Sequence, residues 1–231
     1  MGADSCSSTS AIETNTSPSS ANTEATATEE EAGETEAAPP PSGPKAPKPI
    51  VIRGHGKVVK SIRLKTDTPV VVTGSHNGQA NFIVDLVGQG AHEFLFNEIG
   101  RYRGQAAIEE QLNSGKYRVA IDADGDWTLK FEQPVPKGDA KRLPGTLKGK
   151  GAHVVPVHTD DPMQPVVRGA HRGQANFIVD VIGYGDLSGV VNLFNEIGRF
   201  SGEVLADEEL PAGDYLVYVQ ADGAWTLRFT P

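Results

Sequence analysis

Short runs in which apolar and polar residues alternate, cut by clusters of Gly, Pro, Asp and Asn, begin at Ile50 and continue to Pro231. In NFIVDLV, Phe82, Val84 and Leu86 share one side at the two-residue strand period, while Asn81, Ile83 and Asp85 share the other. WTLKF sets Trp127, Leu129 and Phe131 against Thr128 and Lys130, and a later stretch sets Trp225, Leu227 and Phe229 against Thr226 and Arg228. VVKSIRL, PVVVTGS, EFLFNE, RYRGQAAI and YRVAID supply further strands, separated by turn signals at the spacing of a sandwich or jelly roll. No stretch sustains a helical apolar stripe. The pattern predicts an all-β chain with both tryptophans in the core.

The pattern is written twice. GQANFIVD occurs at Gly78 and again at Gly173, and LFNEIGR occurs at Leu95 and again at Leu193. GKYRVAIDADGDWTLKF pairs with GDYLVYVQADGAWTLRF, and GHGKVV at Gly54 pairs with GKGAHV at Gly149. Ile50 to Pro231 is therefore a duplication. The second copy gains its extra residues in the Gly-rich GYGDLSGVV, a loop by composition. This organisation predicts a stalk over residues 1–49, a first β-sandwich over 50–136, and a linker with a second β-sandwich over 137–231. PVPKGDAKRLPG between the copies reads as a semi-rigid linker with a solvated basic run.

Composition separates the stalk from the rest. Residues 1–49 hold eight Ser, seven Thr and eight acids, with Met1 and Ile12 as their only large aliphatic side chains. So little apolar surface does not offset chain entropy, and the segment is expected to be disordered. Its eight acids and two lysines account for −6 of the chain's net −9, which leaves the duplicated part nearly balanced. Without a clustered Lys/Arg stripe, nucleic acid is an unsuitable partner. The single cysteine, Cys6, rules out a disulfide framework and a multi-cysteine zinc site. Ahead of a Ser/Thr/Glu/Pro tract it is a lipid-attachment candidate, the one route to a membrane expected here.

The order GxG, HxGxxNF, NxxGRxxG, then a GxY strand followed by ADGxW, present in both copies, resembles repeat modules of extracytoplasmic bacterial proteins, many of them lipoproteins. The resemblance implies secretion, a β-sandwich and no established catalysis. It implies no ligand.

Candidate chemistry is sparse. LFNEIGR reads as a strand entering a turn, with Asn and Gly suited to left-handed backbone. The functional alternative puts Asn97, Glu98, Asn195 and Glu196 at a loop edge, where amide and carboxylate bind sugar hydroxyls or a cation. His76 and His171 occupy equivalent places, followed by Asn81 and Asn176, but one imidazole per copy is too few for a tight zinc site. Asp122, Asp124 and Asp126 form a calcium candidate in copy one alone, because copy two reads QADGA. The shared Asp-Gly predicts a hairpin turn. No serine-hydrolase elbow, zincin helix or phosphate-binding loop appears, and a repeated sandwich without large inserted loops is expected to lack a deep pocket.

These observations predict two tandem jelly-roll-like or immunoglobulin-like β-sandwiches after a disordered N-terminal stalk. The expected function is non-enzymatic binding or adhesion outside the cytoplasm, to a cell-surface protein or carbohydrate, without a cofactor unless calcium is bound. The rival expectation is an accessory or catalytic subunit of a carbohydrate-active hydrolase.

Overall fold

A computed structural model describes residues 46–65, 67–135, 140–187 and 189–231. Most of the expected stalk, with Cys6, lies outside the described residues. Repeat 1 contains β1 (Ile50–His55), β2 (Val58–Leu64), β3 (Val71–His76), β4 (Asn81–Gly88), β5 (Ala91–Ile99), β6 (Tyr102–Ala107), β7 (Gly115–Ala123) and β8 (Asp126–Glu132). Repeat 2 contains β9 (Lys141–Leu143), β10 (Gly145–Lys150), β11 (His153–Thr159), β12 (Val166–His171), β13 (Asn176–Gly183), β14 (Val190–Ile197), β15 (Phe200–Leu205), β16 (Gly213–Ala221) and β17 (Ala224–Thr230). Among the described residues, the one helical element is a 3₁₀ turn at Gly185–Leu187. The chain is all-β, in four sheets.

Strand order repeats as the letters do. One pair of sheets runs β1-β8-β3-β6 and β2-β7-β4-β5; the other runs β10-β17-β12-β15 and β14-β13-β16-β11-β9. With β9 set aside, the second pair reproduces the first. Consecutive strands mostly exchange sheets, and among the described residues only β4–β5 and β13–β14 are neighbours in both sequence and sheet. The Asp-Gly turn expected to close a hairpin therefore does something else. Asp124-Gly125 passes the chain from β7 in one sheet to β8 in the other, because a tight-turn signal does not specify which sheet takes the next strand. The expected linker is also partly strand: Lys141–Leu143 pairs in parallel with Val157–Thr159. Residues 136–139 of that linker lie outside the described residues.

Burial follows the predicted alternation. Trp127, Leu129 and Phe131 are buried on β8, as are Trp225, Leu227 and Phe229 on β17. Each indole N–H donates to a carbonyl 3.0 Å away, Trp127 to Gly56 and Trp225 to Gly151. A Cβ at Gly54 would collide with the Trp127 ring, so the first glycine of GxG makes room for the indole and the second supplies its acceptor. The ring bridges the turn between β1 and β2. In each repeat, residues of both sheets contribute to one apolar cluster. All described residues belong to one compact unit.

The repeats meet along β6. Gln105 N–H donates to the Ala152 carbonyl (3.1 Å), and its side-chain oxygen accepts the Val154 N–H (3.0 Å). Val154, Ile182, Leu216 and Tyr218 of repeat 2 join the apolar cluster of repeat 1.

Candidate functional site

The structure divides LFNEIGR into two halves with different physics. Register slips between Val84 and Asp85, so that Val84 faces Phe96, Asp85 faces Phe94, and Leu95 is the extra residue of a β-bulge. The bulge is what lets the adjacent Leu95 and Phe96 both turn inward, at 7% and 4% exposure. Gly100 sits at φ 82°, in the left-handed region glycine favours. Its N–H donates to Ala80 O at 2.7 Å, and its carbonyl accepts from His76 Nδ1 at 2.7 Å. Leu193, Phe194 and Gly198 repeat each feature, with His171 as the donor.

Both histidines belong to that framework. His76 is buried and stacks on Phe82 with centroids 4.9 Å apart, and its Nε2 lies 3.2 Å from Asp124 Oδ1, at an angle outside hydrogen-bond geometry. Asp124 Oδ2 accepts the Gln79 N–H at 2.9 Å, which ties the β7–β8 turn to the β3–β4 loop. His171, Phe177, Asp222 and Gln174 repeat the clasp. Backbone N–H donation from Gln79 and Gln174, with a smaller contribution from the facing histidine, holds both carboxyls below the usual Asp range. His76 is buried on β3, whereas Asn81 is exposed at the start of β4 in the other sheet.

The three aspartates of the calcium candidate are likewise distributed over different elements. Asp122 is on β7, Asp124 in the turn and Asp126 on β8 of the other sheet, and each has its own partner. Asp122 pairs with Lys57 (2.6 Å), Asp124 faces His76, and Asp126 lies 3.0 Å from His55 Nδ1. Among the described residues, no group of three or more His, Cys, Asp or Glu is arranged to hold a metal.

The other half of LFNEIGR is unexplained by the fold. Asn97, Glu98, Ile99 and Arg101 are exposed, as are Asn195, Glu196, Ile197 and Arg199, and both isoleucines stand 80% exposed. Among the described residues, the side chains of Asn97, Arg101, Asn195, Glu196 and Arg199 make no hydrogen bond or ion pair. Strand pairing sets Asn81 opposite Ile99 and Ile83 opposite Asn97, forming an amide and aliphatic checkerboard on the outer face. Asn176 with Ile197 and Ile178 with Asn195 reproduce it. Elsewhere on this face the repeats have mostly diverged: Arg118 against Leu216, Ala120 against Tyr218, Asp122 against Gln220, Phe94 against Asn192. The pair Asp85 and Asp180 is retained.

An open cavity of about 820 Å³ lies between the repeats. Asn97 and Glu98 line its repeat 1 wall; Asn176, Gln220 and Asp222 line its repeat 2 wall; Tyr102 and Tyr218 face it from opposite repeats. Partial desolvation against the cavity wall raises the carboxyl of the otherwise exposed Glu98. Burial also raises both phenols, with a further upward push from Glu98. Four of the predicted residues thus form the two patches (Asn81, Asn97, Asn176, Asn195), and two of those four share the cavity. Glu98 joins them there, whereas Glu196 is exposed and does not line the cavity. Sequence reasoning missed Ile83, Ile99, Tyr102 and Tyr218; identity at Ile99 and Ile197 was the visible signal, since a turn does not require isoleucine.

No family model matches the chain, and no curated protein matches it.

Proposed function

We propose that the protein is a non-enzymatic extracytoplasmic binding or adhesion protein in which two tandem jelly-roll-like sandwiches recognise one extended ligand, a cell-surface carbohydrate or similar polyhydroxylated polymer. The strand orders β1-β8-β3-β6 and β2-β7-β4-β5 support the jelly-roll alternative, with eight strands in two sheets, over the immunoglobulin arrangement. One observation carries the functional reading. Surface residues drift unless something holds them, yet the exposed and structurally idle Asn97, Ile99 and Arg101 are retained in both copies.

The chemistry fits a polymer of sugars. Asn side chains offer both donor and acceptor, Glu98 and Asp222 accept, and the exposed isoleucines provide flat apolar contact. Because Asn97 and Asn176 line one cavity, the patches bind as neighbours, and a chain-like ligand gains from engaging both. A lipid-anchored stalk at Cys6 would present them away from a membrane; that residue lies outside the described residues.

The test is a screen of glycans and envelope polymers against the whole chain, beside the double variant Asn97→Ala with Asn195→Ala. Binding is expected to fall at least tenfold in the double variant with an unchanged melting temperature. If the variant binds as well as the parent, or loses binding only because it unfolds, the repeated letters serve the fold alone.

A further inference from the structure

The contact between the repeats has a vacant counterpart at each end of the duplicated region. Inside the chain, the β6 end of repeat 1 enters the outer face of β11-β16-β13, where Val154, Leu216 and Ile182 are at most 7% exposed. The duplication supplies a second entering end, β15 of repeat 2, and a second receiving face, the outer side of β2-β7-β4. Both are bare. Val59 and Val87, which stand where repeat 2 has Val154 and Ile182, are 61% and 42% exposed. Leu205, which stands where repeat 1 has the buried Ala107, is 55% exposed.

Charge at these two surfaces is complementary. The bare receiving face exposes Arg63, Lys116 and Arg118, while Asp207, Glu208 and Glu209 follow β15 on the bare entering end, all exposed. The match extends to register. Glu109 at the internal contact lies close enough to Asp180 for the two charges to interact, and its counterpart Asp207 would approach Asp85. Val87 beside Asp85 pairs across strands with Arg118, which puts a guanidinium where the internal contact has Leu216. An acid entering this face therefore meets a cation as well as a carboxylate.

We infer that a second copy of this chain occupies the bare face: the β15 end of one molecule docks on β2-β7-β4 of the next, repeating between molecules the contact made within each. The contact is heterologous, so it does not close at two copies and builds open linear chains. With Arg118 in place of a buried leucine, it is ionic where the internal one is apolar, and therefore weak and sensitive to salt. The assembly would align successive patches along one direction, yet it does not depend on any ligand being bound.

Sedimentation velocity of the full chain over a concentration series, at low and at high ionic strength, tests the inference. The sedimentation coefficient is expected to rise with concentration at low salt and to collapse to the monomer value at high salt. Arg118→Glu and Leu205→Asp each change an exposed side chain at one end only, and each is expected to abolish growth with an unaltered melt. Mixed in equal amounts they retain one intact contact between them, and are expected to form dimers and nothing larger. A monomer under every condition overturns the inference, as does association that survives either variant, or a mixture that stays monomeric.

Discussion

The outer faces of two homologous sheets carry opposite surfaces on one backbone plan. On β11-β16-β13, Val154, Leu216, Tyr218 and Ile182 are buried against repeat 1; on β2-β7-β4 the same positions hold Val59, Arg118, Ala120 and Val87. Strand order, bulge, tryptophan bridge and His–Asp clasp are alike in both. What differs is what covers the sheet. A face sealed within the chain accumulates large apolar side chains, because each buried one contributes about 1.5–3 kcal/mol. A face left in water keeps Arg118 and Lys116, which discourage non-specific sheet contact and leave room for an ionic one. The checkerboard patches are where the two faces agree without sharing their cover, which sets them apart from both classes of residue.

The largest effect should come from exchanging that central position. Leu216 is 0% exposed, so Leu216→Arg forces an unpaired cation into the junction and is expected to cost about 3–5 kcal/mol. The reverse change, Arg118→Leu, alters a solvated residue and should stay within about 0.5 kcal/mol. Urea unfolding of both variants measures the contrast. Equal effects would mean that the junction contributes little to stability and that the divergence of the faces has another origin.

How much of this was legible in the letters depended on the range of the interaction. Local alternation identified β4 and β8 and the burial of Trp127, because a strand's two sides are a property of the strand. Sheet membership is not local. Asp124-Gly125 carried the letters of a hairpin but joins different sheets, and the same ignorance made Asp122, Asp124 and Asp126 look like neighbours. The three-residue β9 has too few positions to show a period, and its partner Val157–Thr159 lies further along the chain. The cavity was invisible because its walls, Asn97 and Asn176, come from different repeats. One clue was readable: adjacent Leu95 and Phe96 break the alternation of their strand, which is the mark of a bulge.

A smaller effect, confined to the junction, is predicted for rising pH. Burial raises the Glu109 carboxyl, helped by the charges of Asp180 and Glu93, and burial also raises Asp180 although the Asn192 amide donates a hydrogen bond to it. Asp180 Oδ1 accepts from Asn192 Nδ2 at 2.7 Å. Folding therefore favours the protonated forms. Stability from this pair is complete below the ordinary carboxyl range near pH 4 and is lost as pH rises through the raised values. Glu109→Gln keeps the shape and removes the charge, and is expected to flatten the decline of melting temperature with rising pH. An unchanged profile would remove the pair from the account of how the repeats are held together.

The smallest effect should be the same in both repeats and have the opposite sign. Asp124 and Asp222 are held low, first by backbone N–H donation from Gln79 and Gln174 and then by further N–H groups and the facing histidine. Each clasp contributes stability above the ordinary Asp range near pH 4 that is lost as pH falls through the depressed value. Asp124→Asn and Asp222→Asn leave one side-chain oxygen to accept but remove the charge, so each should flatten the acid limb of the melting profile by a similar amount. The double variant should add the two, since the clasps belong to different cores. Unequal single effects would mean that the junction reaches the Asp222 clasp, which lines the shared cavity whereas Asp124 does not. Ligand binding between the repeats would then alter the stability of repeat 2 more than that of repeat 1, and the melting profile measured with and without bound polymer would separate the two cases.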